Sequence, residues 1–386
     1  MSATQATVRP HAEVHDRDDV FGADSPLAAA WDQLWHSCSG ATAFQHRGWL
    51  AGWWAAYGRP GRLRVAAVYE DGQLVAAVPL HLTRRGPFRV LSLVGTGLSD
   101  YGGLLVADGS EDEVSARIAC LASAVGRLRA SLDLREVPPE SPVFRLARHW
   151  RHRVRTFPDS VCLDVPAMSF DDFMATLSAR TRGRVRQKVR RIDELGLRVE
   201  TVRPEQVPAA VHELLELHKA QWGGRITEEH LTERFRDHLV QAVTAMTADG
   251  CAVVVRFSDA EEIVACDIML RGPDSLSGYL VGVHSRMRRY DITTMLMRTA
   301  LTEAVKCNAT YYSFLRGQES YKQRWHPQAK ANTRVILFGP GLIAAGAGTA
   351  LAAVADARRV AGKAVRRIRK EAGRITRAEL EAAPPA

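Results

Sequence analysis

Asp267 interrupts the apolar run IVACDIML. A carboxylate inside a buried strand is costly unless it is paired or used, which makes Asp267 a candidate general base. A structural pairing to an arginine, or an edge strand facing solvent, are the alternatives. From Ser275 to Trp325 the chain then reads strand, charged turn, helix and strand, and closes on the run FLRGQESYKQRW. In that order a helix N-terminus can present backbone N–H groups to an anion while the next strand carries side chains to the reacting end. Arg286, Arg288 and Arg289 in the turn either attract that anion or form a solvated turn. Lys322, a catalytic candidate, and Arg316, Glu319 and Tyr321 in the closing run either contact acceptor or donor or simply anchor the loop.

Other candidates lie earlier in the chain. Asp100 and Tyr101 sit in the turn TGLSDYGG, whose glycines permit close backbone approach, and are candidate acceptor contacts. Trp222, beside His218, either lines an acceptor cleft or ends a helix in the core. Trp49, Trp53 and Trp54 recur near helical spacing and read as core. No nucleophile elbow is recognisable, and no His or Cys spacing suggests a metal, so direct transfer without a covalent enzyme intermediate is expected.

The elements that must position these residues follow from period and turn chemistry. LRVAAVYE and LVAAVPLHL flank Asp71-Gly72, a hairpin signal; RVLSLVG, a polar turn, LLVA, the helix EDEVSARIACLASAVGRLRA and the strand SLDLREVP follow. The second half repeats the order: CAVVVRFS and EIVACDIML around Asp259, LSGYLVGV, the turn HSRMRRYD, the helix TTMLMRTALTEAVKC and YYSFLRG. Each half opens with aromatic-rich helical sequence. The expected fold is therefore α+β, two tandem units, each a mixed and mostly antiparallel sheet flanked by helices. The expected divisions are an N-terminal mobile arm over 1–24, a first unit over 25–165, a second over 166–340 and a basic Ala-rich helical tail over 341–386. Phe157 to Pro166 reads as the strand and linker between the units.

The net charge of +9 favours anionic partners. Much of it sits in two places. SARTRGRVRQKVRRIDELG, with Ser169 as a plausible cap and Gly196 as a stop, reads as a helix or helix pair whose outer face is either phosphate-attracting or merely solvated. The tail forms a second basic helix, expected over about 347 to 380, that could rest on an acidic membrane or partner or stay solvated. Six cysteines without paired spacing point to a reducing cytoplasm, and no apolar run reaches the roughly 20 residues that cross a bilayer.

FQHRGWLAGWW, GTGLSDY, TRGRVRQKVRRIDELG, HKAQW and FLRGQESYKQRW, in that order over roughly residues 27 to 338, together resemble the CelD-like branch of the GNAT acyltransferase superfamily, related to the FemABX aminoacyl transferases. The resemblance implies two GNAT-like folds, the second holding the acyl donor and the acceptor lying in the cleft between them. It also implies that Tyr279 to Val283 is the splayed strand whose backbone meets the acyl group. Tyr279 thereby joins the catalytic candidates and Val281 and Val283 the cofactor contacts. The family's phosphate loop maps onto Arg288, Asp291 and Thr293, where its two glycines are missing and Asp291 would repel a pyrophosphate or serve instead as a helix cap.

Two donors are consistent with this pattern: an acyl-CoA, acetyl-CoA first, for transfer to a small amine, amino sugar or cell-envelope precursor, or an aminoacyl-tRNA. A noncatalytic membrane-surface or assembly protein with a decayed donor site is the reading of a different class. A monomer or homodimer is expected.

Overall fold

The computed structural model describes residues 9–222 and 228–360. Its strands are β1 (His11–His15), β2 (Leu63–Glu70), β3 (Gln73–Arg85), β4 (Phe88–Leu93), β5 (Leu105–Val106), β6 (Ser131–Val137), β7 (Val154–Pro166), β8 (Arg198–Thr201), β9 (Ala252–Ser258), β10 (Ile263–Arg271), β11 (Ser275–Val283), β12 (Tyr311–Arg316) and β13 (Gln328–Leu337). Its helices are α1 (Pro26–His36), α2 (Arg47–Tyr57), α3 (Glu111–Gly126), α4 (Val143–His149), α5 (Phe170–Thr176), α6 (Ala179–Asp193), α7 (Val207–Trp222), α8 (Glu233–Ala248), α9 (Thr293–Lys306) and α10 (Ser320–Gln323). The strands join in one sheet of order β1-β2-β3-β4-β6-β13-β7-β12-β11-β10-β9-β8, with β5 paired to β3.

The duplication predicted from the sequence is plain in this order. In each half a strand and two helices precede an antiparallel three-stranded set, and a helix then crosses to a strand that returns parallel to the third. The parallel pairs are β4 with β6 around α3, and β11 with β12 around α9. Asp71 and Gly72 take φ of 47° and 76°, the left-handed pair that a two-residue hairpin requires.

Two features depart from the expected division. The segment read as linker is β7, a central strand that pairs antiparallel with β12 of the second half, while β13, the last strand of the second half, pairs with β6 of the first. The halves thus exchange their closing strands, and β7 pairs with β13 between them. The arm expected to be mobile supplies β1, which pairs with β2. The reason is physical: a strand finds whichever sheet edge is open, and nothing local in its sequence says which copy that edge belongs to.

The sheet is covered on both faces. The helical aromatics Trp31, Trp49 and Trp53 pack with α7 and α8 in one cluster spanning both halves. α5 and α6 are the helix pair read from the basic segment, capped by Ser169 and Ser178. Val185 and Ile192 bury the inner face of α6 with residues of α9 in the second-half core. The helix over 341–360 packs Ala347, Leu351 and Ala355 on Phe157 and Ile336 of the exchanged strands. The predicted tail beyond 360 lies outside the described residues.

Candidate functional site

The pairing of β11 with β12 covers Ser275–Ser277 against Tyr311–Ser313 and then stops, although both strands continue. Past that point they splay. A register shift against β10 between Ile268 and Met269 leaves Tyr279 as the extra residue of a bulge in β11, which bends the strand away from β12. The wedge is a cavity of about 320 Å³. Its wall is built from Gly278 to Val281, the end of β12, α9 and the loop that closes on Trp325.

Asp267 reaches the cavity from β10. It is only 5% exposed, and among the described residues no hydrogen-bond or ion-pair partner faces it. Burial alone raises its carboxyl to about 7. The carboxylate is neither paired to an arginine among the described residues nor on an edge strand facing solvent. Beside it stand Tyr312 and Tyr321, both pushed upward chiefly by burial and then by neighbouring negative charge, that of Asp267 included. The Tyr312 hydroxyl lies against Gly278, where a Cβ would collide with it.

The other candidates fall into three groups. Tyr279, Val281, Thr293, Asp100, Arg316, Glu319, Tyr321 and Lys322 line the same cavity as Asp267. Lys322 is committed, however: its ammonium donates to the Phe314 and Arg316 carbonyls at 3.0 and 2.9 Å and pairs with Glu319 at 2.8 Å. It therefore holds the end of β12, where Leu315 takes φ of 57°, and spends its donors on that anchoring. Tyr279 donates to the Leu98 carbonyl at 3.4 Å. The backbone of the outer part of β11 is taken by α7, with His218 Nδ1 on the Val281 carbonyl at 2.8 Å and the Val283 N–H on Gln221 at 3.2 Å.

The arginine turn forms the second group, and Arg286 within it is already paired. Arg286 pairs with Asp259 at 2.5 Å and Glu262 at 3.1 Å, and Arg289 stacks on Tyr290. Arg288 lies in the same 3-10 turn, Ser285–Tyr290. At the start of α9 the cap is Ile292, without a side-chain bond, and Asp291 is left-handed with φ of 53°. Its carboxylate accepts from Lys188 of α6, from Arg324 at 2.5 Å and from Thr293 Oγ1 at 2.5 Å. Burial raises this carboxyl, but the three donors outweigh it and hold it down at about 2. The chain's own anion thus occupies the cations beside this helix start.

The third group is the glycine-rich turn. Tyr101 is 4% exposed and bonds Ser313 at 3.0 Å, while Asp100 accepts from the Arg316 backbone N–H at 2.9 Å and from its guanidinium at 2.5 Å. Tyr101 does not line the main cavity, and Trp222 ends α7.

Sequence reasoning missed Gly278, Tyr312 and His230 at the cavity wall, and named His218 only as the neighbour of Trp222. Only Gly278, a glycine inside an apolar strand, carried a local signal, since such glycines mark bulges and close approaches. Among the described residues no group of three or more His, Cys, Asp or Glu side chains is placed to hold a metal ion.

With this geometry in view, residues 179–323 match the family model described as an acetyltransferase (GNAT) domain. No curated sequence matches the chain. Among solved structures, FemX aligns at 12% identity and TM-score 0.59 over 80% of this chain and 95% of its own. L-PGS from Bacillus licheniformis aligns at 13% identity and TM-score 0.53, over 81% and 92% respectively. The C-terminal domain of a putative lysylphosphatidylglycerol synthetase from Agrobacterium fabrum gives 13% and 0.51, over 84% and 93%. At these identities the likeness is one of fold.

Proposed function

Taking residues 179–323 as a GNAT acetyltransferase domain inside a FemX-like fold, we propose that the protein is an N-acyltransferase that moves an acyl group from acyl-CoA, acetyl-CoA first, to the amine of a small molecule, amino sugar or cell-envelope precursor. The observation that carries this reading is Asp267, a buried carboxylate without a partner among the described residues, at the cavity where β11 and β12 part. With its carboxyl raised to about 7, it is poised to take a proton from an ammonium at neutral pH. The freed amine attacks the thioester carbonyl and the N–C bond forms. Backbone donors of the bulged strand near Tyr279 steady the oxyanion. The C–S bond then breaks, the departing thiolate takes the proton held by Asp267, and the nitrogen of the new amide gives up its second proton to solvent. Lys322 serves as a positioning residue that fixes the end of β12.

In this reading the acyl end of the donor enters the wedge, and its phosphate end lies toward Asp291. That contact favours a second reading, in which the donor is an aminoacyl-tRNA whose phosphates lie along α6. Among the described residues Arg180, Arg184, Arg186 and Arg190 have no acidic partner, and two of them, Arg184 and Arg186, are exposed on either side of the buried Val185. We also propose a cytoplasmic location; among the described residues no helix is long and apolar enough to cross a membrane.

The test is release of free thiol from acetyl-CoA across a panel of amines. Thiol release that depends on an amine and falls at least a hundredfold in Asp267→Asn supports the first reading. No response to any CoA ester, with salt-sensitive binding of charged tRNA that Arg184→Glu and Arg186→Glu weaken, moves the assignment to the second.

A further inference from the structure

The first half carries another concave surface, at the C-terminal end of α3. It is a cavity of about 780 Å³ lined by Arg127, Arg129, His149, Arg151 and His152, with Trp150 and Pro340. No carboxylate lines it, and among the described residues none of these basic side chains pairs with one. One step beyond Pro340 the helix over 341–360 begins, with Leu342 93% and Ile343 79% exposed.

These aliphatic tips stand on a fixed base. The buried Ser131 hydroxyl donates to the Ala344 carbonyl at 2.6 Å and accepts from the Gly339 N–H at 2.8 Å, and Trp150 Nε1 donates to the Phe338 carbonyl at 2.8 Å. Arg153 stacks over Phe338 and adds a further exposed cation. A turn built this firmly ends in two exposed aliphatic side chains, which follow Pro340 of the basic concavity closely in the chain.

We infer that this face, Leu342 and Ile343 with Arg127, Arg129, Arg151 and Arg153, docks the protein on the surface of an anionic phospholipid bilayer. The two features call for different parts of one partner. The cations match the phosphates of the headgroups, each contributing roughly a fivefold gain in binding near a charged membrane, and the aliphatic tips match the acyl boundary just beneath. Two isolated aliphatic side chains form too small an apolar area for a stable protein interface, which needs a contiguous patch of several hundred Å². The charge is of one sign, as an anionic surface requires. This inference is independent of the acyl-transfer reading, because none of these residues lines the wedge.

The test is co-sedimentation of the full chain with vesicles of phosphatidylcholine alone or mixed with phosphatidylglycerol, at low and high salt. The wild type is expected to bind the anionic vesicles and to release them in salt. Leu342→Ser with Ile343→Ser, and separately Arg127→Glu with Arg151→Glu, change only exposed side chains and should leave thermal melting unchanged. Each pair should weaken binding by at least about twentyfold. The basic segment beyond residue 360 is intact in every variant. Undiminished binding of both variants would therefore assign the membrane contact elsewhere and overturn the inference, as would equal binding to neutral vesicles or none to either.

Discussion

The two halves of the molecule open the same wedge and use it in opposite ways. In the first half β4 and β6 pair only from Val90–Ser92 to Ser131–Asp133 before they part, as β11 and β12 do in the second. There the gap is filled by the chain itself. The Gly102 N–H bonds the Glu136 carbonyl at 2.7 Å, and a Cβ on Gly102 would strike the Arg135 carbonyl. About 20 Å³ remains, room for a water and no substrate.

That plug also builds the neighbouring site. Gly97, Leu98 and Asp100 line the open wedge, Asp100 is clamped by Arg316, and the exchanged strand β13 holds the Asp100 carbonyl through Asn332 at 2.9 Å. One half is left as a wall and the other as an open cavity. What separates them is whether the loop after the third strand folds back into the gap.

The largest effect that would sharpen this contrast is at Asp267. Asp267→Asn should lower turnover by about two to four orders of magnitude, and the wild-type rate should climb as pH rises through about 7. Stability should move the other way. A carboxyl raised from 3.8 to about 7 favours the folded state while protonated, so its contribution is complete below pH 4 and is lost as pH climbs through 7. Asp267→Asn should therefore melt higher than wild type at pH 8, by up to about 4 kcal/mol, and lose that advantage at pH 4. A slower enzyme that is not more stable at pH 8 would remove the unpaired carboxylate from the account.

A matched pair of glycines probes the two wedges directly. Gly278→Val meets the Tyr312 side chain rather than backbone, so the protein should fold while activity falls on the order of a hundredfold. Gly102→Val meets a backbone carbonyl and should cost stability, about 1–3 kcal/mol in a denaturant melt. Equal effects of the two on activity and stability would break the distinction. Asp100→Asn should cost about 1–2 kcal/mol, because Glu136 still pairs with Arg316 at 3.2 Å. The smallest expected change is at Asp291: Asp291→Ala frees Lys188 and Arg324 and should tighten CoA binding on the order of tenfold by titration calorimetry.

How far the sequence reaches follows from the range of each interaction. The hairpin at Asp71-Gly72, the cap Ser169 and the repeated strand order are local, and all were legible. So was Asp267, because a carboxylate in an apolar strand is anomalous on its face. The exchange of β7 and β13 was not, since pairing partners are chosen by which edge is open in three dimensions. Nor were the grip of Lys188 on Asp291, 103 residues away, or the commitment of Lys322 to two backbone carbonyls. Charge in a sequence does not say whether a pairing will form or with which partner. The arginine turn illustrates this: three cations read as a cradle, and Arg286 folds onto Asp259 instead.

The central claim is that one wedge receives the acyl donor and the other is closed. Titration calorimetry of acetyl-CoA into the full chain, wild type and Gly278→Val, tests it most directly. The account predicts one equivalent bound per chain and none in Gly278→Val. Two equivalents, or binding that survives Gly278→Val unchanged, would contradict it.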